Sequence, residues 1–143
     1  MSLLDQVQAD VKSALKAGDR ERVHALRLIA DALQKAEKDD GGDPVEVLQR
    51  ERKRRLEAAE AYDDGGRNDA AEGERREAEV IAGYMPEQVS DDELREIVGY
   101  AVAESGASSP QEMGKVMSLV MPQVKGRADG KRVSAAVKEM LTP

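Results

Sequence analysis

Apolar residues recur at steps of three and four along nearly the whole chain of 143 residues, which is the pattern of amphipathic α-helices. The first example is Val7, Val11 and Leu15, which would share one face of a helix. The sequence contains no run of alternating Val, Ile and Thr, the pattern that favours a half-buried strand. Phe and Trp are absent, whereas helix-forming Ala, Glu, Leu, Lys and Arg dominate. The sequence therefore predicts an all-α fold.

Helix-start signals divide this pattern into two groups of helices. Asp43-Pro44-Val45-Glu46 and Ser109-Pro110-Gln111-Glu112 place a capping residue before a Pro at the first helical position, and Ser90-Asp91-Asp92-Glu93 is a capping box. We expect an N-terminal four-helix domain over residues 1–86, followed by a small three-helix domain over residues 90–143.

Composition excludes several classes of protein. The chain has no Cys, which excludes disulfides, thiolate metal sites and a Cys nucleophile, and it has a single His. The N-terminal sequence MSLLDQVQAD lacks the basic start and apolar run of a signal peptide. No segment approaches the roughly 20 apolar residues of a membrane span. We expect a soluble, cytoplasmic protein without a membrane partner, a metal or a cofactor, and no residue stands out as catalytic.

The charge is negative overall but positive near the C-terminus. The chain holds 22 Lys and Arg against 29 Asp and Glu, a net charge of -7, which disfavours broad nonspecific binding to nucleic acid. We expect no DNA partner. Residues 111–143 nevertheless contain six basic and three acidic residues. Any contact with RNA would therefore be local, and the scarcity of aromatic side chains disfavours base stacking.

The candidate anion or RNA site lies around a Gly-containing turn in this positive block. Backbone N–H groups at the start of the last helix would favour an anion there. In the alternative interpretation Gly126 ends one helix, Asp129 caps the next, and the cations form a solvated rim. The candidate residues are Lys115, Lys125, Arg127, Lys131 and Arg132.

Two further patterns suggest a partner surface. Met113, Met117 and Met121 form a ridge of four-residue spacing that would either pack in a small core or line a groove for a partner helix. Lys53 and Arg55 belong to a dense basic run that would either track phosphates or pair with acids on neighbouring helices.

Longer motifs show a resemblance to a known family. The chain reads Tyr84-Met85-Pro86-Glu87-Gln88, with Met85 in place of the family's usual Leu, and later Met121-Pro122-Gln123-Val124-Lys125-Gly126-Arg127-Ala128-Asp129-Gly130. In these runs it resembles YqeY-like (GatB/YqeY) proteins, which are related to the tail of the B subunit of glutamyl/aspartyl-tRNA amidotransferase. The N-terminal half matches more weakly, at positions that include Glu51, Arg55 and Glu77.

The resemblance implies an all-helical protein with a larger N-terminal domain and a small three-helix domain. In the amidotransferase this tail helps to hold the tRNA, while amide transfer takes place in other domains. The resemblance thus implies a link to carbon–nitrogen ligase activity with glutamine as amido donor, in an accessory role. The partners that it implies are tRNA and components of the amidotransferase or of an aminoacyl-tRNA synthetase. The alternative is a helical protein–protein interaction module that does not contact RNA.

Overall fold

Seven α-helices and two short 3-10 helices make up the described part of the chain, residues 1–39 and 42–143 of a computed structural model. Residues in this part form no β-strand, and the all-α prediction is confirmed. The α-helices are α1 Leu3–Ala17, α2 Arg20–Asp39, α3 Pro44–Asp64, α4 Asn68–Ala82, α5 Asp91–Ser105, α6 Met113–Val120 and α7 Gly130–Leu141. The 3-10 helices are Pro110–Glu112 and Met121–Gln123.

Side-chain caps fix several of the helix starts. The Ser90 hydroxyl accepts the N–H of Glu93 at 3.1 Å, and Asp43 accepts the N–H of Val45 at 2.9 Å. Each cap satisfies a backbone donor that the first helical turn leaves without a partner. The capping role expected for Ser109 is wrong in detail. Its side chain makes no cap bond to the backbone, and a 3-10 turn precedes α6 there.

The chain divides into two compact units, Met1–Met85 and Pro86–Pro143. The first unit contains two helical hairpins, α1–α2 and α3–α4, and its core includes the fully buried Leu26, Leu48 and Ile81. The separate folding of residues 1–86 and 90–143 as two domains stays a prediction.

Valine dominates the core of the second unit. Its largest fully buried side chains are short and β-branched, which lets three short helices approach closely without aromatic residues. These residues are Val98, Val116, Val120, Val124, Val133 and Val137. Among the helices of the described residues, none is long and apolar enough to cross a membrane.

Candidate functional site

The turn between α6 and α7 is tightly built. Val124 and Ala128 are fully buried and anchor it in the core of the C-terminal unit. Val124 accepts the N–H groups of Arg127 at 2.7 Å and of Ala128 at 3.1 Å, and the positive φ of 75° at Gly126 reverses the chain. Asp129 then caps α7 by accepting the N–H of Arg132 at 2.8 Å. The capping role expected for Asp129 is confirmed.

The segment before α5 closes against this turn. The backbone N–H of Val89 donates to the carbonyl of Arg127 at 2.9 Å, and the side-chain amide of Gln88 donates to the carbonyl of Gly126 at 2.8 Å. Val89 is buried. The segment that joins the two groups of helices is therefore bound to the C-terminal unit rather than left as a free linker.

Two arginines, Arg127 and Arg132, hold the same segment, and we refer to them as the arginine clamp. Arg127 donates from Nε to the carbonyl of Glu87 at 3.0 Å, and its Nη2 lies 3.3 Å from Glu93 Oε1. The Nη2 of Arg132 donates to the carbonyl of Val89 at 2.8 Å and to Asp91 Oδ1 at 3.0 Å. Guanidinium groups suit such multiple contacts because their donors are fixed in one plane.

The clamp changes the electrostatics of the positive block. The Arg127 and Arg132 side chains are 36% and 33% exposed, and each pairs with an acid in the first turn of α5. The positive balance of residues 111–143 is therefore offset by acids that lie elsewhere in the sequence. Two of the five candidate cations have a structural role, and their contact with an anion stays a prediction.

The three candidate lysines are more exposed. Lys115 is 67% exposed, with its Nζ 3.6 Å from Glu112 Oε2. The Ser108 backbone N–H, which donates to the Glu112 carboxylate, lowers the pKa of that carboxyl, with a further contribution from Lys115. Glu112 thus stays charged beside Lys115 at neutral pH. Lys125 and Lys131 are exposed on either side of the clamp's Arg127.

The family described as Yqey-like protein matches residues 4–141. The chain belongs to the Yqey-like family. A relative from Pyrenophora tritici-repentis, Altered inheritance of mitochondria protein 41, mitochondrial, is 28% identical over 149 residues, which cover 97% of this chain and 81% of that protein. The family match spans both compact units, and the turn with its clamp lies within it.

In this member of the Yqey-like family the methionine ridge lies at the edge of the core. Met113, Met117 and Met121 are half-buried and pack against the valine core of the C-terminal unit. Each side chain therefore has a core contact together with some exposed surface. A partner groove at this ridge stays a prediction.

The second basic patch expected in this Yqey-like protein is not one open surface. Arg55 is 13% exposed, contacts the carboxylate of Glu51 and lies 3.4 Å, at Nε, from Glu77 Oε2. Lys53 is 64% exposed and lies 3.9 Å from Glu57. The structure thus places Arg55 in an ion-pair network and Lys53 in solvent.

Sequence reasoning missed the network itself. The Nε2 of His24 lies 3.7 Å from Glu77 Oε1, so the chain Glu51–Arg55–Glu77–His24 connects α3, α4 and α2. The four-residue spacing of Glu51 and Arg55 was a signal for their pairing, and both residues, with Glu77, carried the family resemblance. Within the described residues, no group of three or more His, Asp or Glu side chains could hold a metal ion.

Proposed function

We propose that this protein is an accessory module of the amidotransferase-tail type, which associates with tRNA or with an enzyme that handles tRNA. Its link to carbon–nitrogen ligase activity, with glutamine as amido donor, would lie in presenting tRNA to a catalytic partner. The observation that carries the proposal is the α6–α7 turn, which the clamp holds in place and which exposes Lys125 and Lys131. Membership of the Yqey-like family supports it.

The chemistry of the turn suits phosphate contacts better than base recognition. Lysine ammonium groups meet phosphates as point charges and position a nucleic acid without reading its sequence. The turn is already ordered by hydrogen bonds between Arg127, Val124 and Val89, so little backbone entropy would be lost when RNA binds. The three tyrosines lie outside the turn, which leaves stacking out of the proposed contact.

The proposal also assigns the RNA contact to one of two domains. We take residues 1–86 and 90–143 as two domains, with the RNA contact in the second. The cytoplasm is the proposed location, and the name of the relative from Pyrenophora tritici-repentis makes the mitochondrion the alternative to test.

A protein–protein interaction module without RNA contact is the second candidate. Two observations favour it, namely the pairing of Arg127 and Arg132 with acids and the half-exposed methionine ridge. Methionine side chains adapt to varied partner surfaces because they are flexible and polarisable. In this candidate the ridge would receive a helix of the amidotransferase or of an aminoacyl-tRNA synthetase.

Affinity purification of the tagged full chain, with and without ribonuclease, distinguishes the two candidates. Our proposal predicts that tRNA is recovered with the protein and that captured enzymes are released by the nuclease. Enzymes retained after nuclease treatment, without tRNA, would establish the second candidate instead. Amide formation on Glu-tRNA or Asp-tRNA by the pure chain alone would contradict an accessory role.

A further inference from the structure

The α1–α2 hairpin carries a cleft that the proposed function does not use. The cleft has a volume of about 490 Å³ and is lined by residues from the end of α1 and the first two turns of α2. Ala14 and Val23 form buried apolar parts of it, and Leu15 is 52% exposed. Leu15 and this apolar floor together offer an apolar surface to a partner's side chain.

Positive charge surrounds this cleft. Residues 12–28 contain five Lys and Arg and only two acids, in a chain whose net charge is -7. Glu21 pairs with Arg76 outside the cleft, whereas Asp19 lines the cleft and accepts the backbone N–H of Arg22 at 3.1 Å. Two arginines, Arg20 and Arg27, thus line the cleft against one carboxylate, Asp19, and the charge of the cleft is positive on balance.

Three cationic or ionisable side chains of α2 line the cleft at a regular spacing. Arg20, His24 and Arg27 stand at positions i, i+4 and i+7, which lie on one face of a helix over about 10 Å of its length. Neither Arg20 nor Arg27 forms an ion pair within residues 1–39 and 42–143, whereas His24 faces Glu77. Arg20 and Arg27 are thus the side chains of the cleft that are available to form ion pairs with a ligand.

We propose that this cleft docks an acidic amphipathic helix of a partner protein. Carboxylates two helical turns apart on the partner would meet Arg20 and Arg27, and an apolar side chain between them would contact Leu15 and the floor at Val23. This site is distinct from the lysines of the α6–α7 turn. It lies in the other unit and takes a protein rather than RNA.

The lining of the cleft favours a helix over RNA. No aromatic side chain lines it, so bases have no stacking platform, and its floor is apolar where a sugar–phosphate backbone would need polar contacts. The volume falls in the range of clefts that enclose side chains or small ligands.

NMR titration of the 15N-labelled full chain tests the proposal with two synthetic peptides. One is an amphipathic helix with a leucine stripe flanked by Glu at i, i+3 and i+7, and the other carries Lys at the same three positions. We expect the Glu peptide to shift the amides of Ala14 to Arg27 and the ring of His24, the only imidazole in the chain. The Lys peptide should leave these signals in place.

Charge-swapped variants make the result specific. Arg20→Glu/Arg27→Glu should weaken binding of the Glu peptide at least about tenfold and bring the Lys peptide into the cleft. Arg95→Glu/Lys138→Glu changes the net charge equally in the other unit and should bind as the wild type does. Leu15→Ala, which alters an exposed side chain, should weaken binding without loss of helical circular dichroism.

Three outcomes would overturn the proposal. The first is the absence of shifts at the cleft with the Glu peptide up to about 1 mM, the weakest affinity that would still count as docking. The second is equal binding of the Glu and Lys peptides. The third is a single-stranded RNA oligonucleotide that shifts the same amides when the Glu peptide does not, which would make the cleft an RNA site.

Discussion

Two pairs of arginines, one pair in each unit, have opposite tasks. In the C-terminal unit Arg127 and Arg132 donate to backbone carbonyls and to acids of α5, and so hold the turn against the segment before that helix. In the α1–α2 hairpin Arg20 and Arg27 line an open cleft. The sequence offers similar clusters of cations in both places. The difference lies in whether acids and carbonyls from a distant segment reach the guanidinium groups.

The comparison shows that local density of charge does not identify a binding surface. Residues 111–143 and residues 12–28 each have a net charge of +3, yet the arginines of the α6–α7 turn are already paired with Asp91 and Glu93. A free anion would have to compete with these partners at Arg127 and Arg132. At the hairpin cleft, Arg20 and Arg27 have no such ion-pair partner among residues 1–39 and 42–143.

Removal of the clamp should give the largest loss of unfolding free energy. Arg127→Ala/Arg132→Ala eliminates four contacts of charged donors, and we expect the C-terminal unit to lose about 2–4 kcal/mol of unfolding free energy after allowance for partial exposure. Urea denaturation followed through the amide signal of the buried Val116 measures this loss. The amide signals of Glu93 and Val89, whose contacts with the clamp are lost, should shift as well.

Arg20→Ala/Arg27→Ala provides the matched control for the clamp. These exposed side chains should change the unfolding free energy of the N-terminal unit by no more than about 0.5 kcal/mol. Equal losses from the two double variants would contradict the division of tasks between the arginines.

Loss of Arg55 should have the next largest effect. Arg55→Ala leaves the mostly buried carboxylates of Glu51 and Glu77 without their shared cation, and we expect a loss of about 1–3 kcal/mol, below that of a fully buried pair. Thermal or urea unfolding of the N-terminal unit measures it. Lys53→Ala, on the same helix but exposed, should fall within about 0.5 kcal/mol of the wild type, and a comparable loss there would show that the network is not the cause.

Of the clamp, Arg55 and the cap of α7, the cap should contribute least to the unfolding free energy. Asp129→Ala removes the acceptor for the N–H of Arg132 and should cost about 1 kcal/mol. Asp92→Ala is a suitable control because that carboxylate pairs only at the surface, with Arg95. Identical urea midpoints for the two variants would show that the cap does not hold the turn.

Local signals in the sequence were sufficient to predict the helices but not the contacts of the candidate site. Periodicity gave the all-α fold, and the caps at Asp43, Ser90 and Asp129 were readable because a cap and its helix are adjacent in sequence. At Ser109 the same motif begins a 3-10 turn, since its hydroxyl donates to Glu112 rather than capping the backbone.

The clamp and the Arg55–Glu77 pair could not be read from the sequence. Arg132 meets Asp91 across 41 residues and Arg55 meets Glu77 across a helical hairpin, so both contacts depend on how the helices pack. The cleft of the α1–α2 hairpin is different. Arg20 and Arg27 stand seven residues apart and so share one face of α2, and this spacing was readable because both residues belong to one helix.

Binding of tRNA as a function of salt tests the central claim most directly. We predict that the full chain binds tRNA and that Lys125→Ala/Lys131→Ala weakens binding while reducing the slope of log affinity against log salt by about 1.5–2, as expected when two phosphate contacts are lost. Lys35→Ala/Lys38→Ala, which removes two exposed lysines of α2, should bind as the wild type does. Affinity and salt slope that are the same for all three proteins, or no binding by the wild type, would contradict the account.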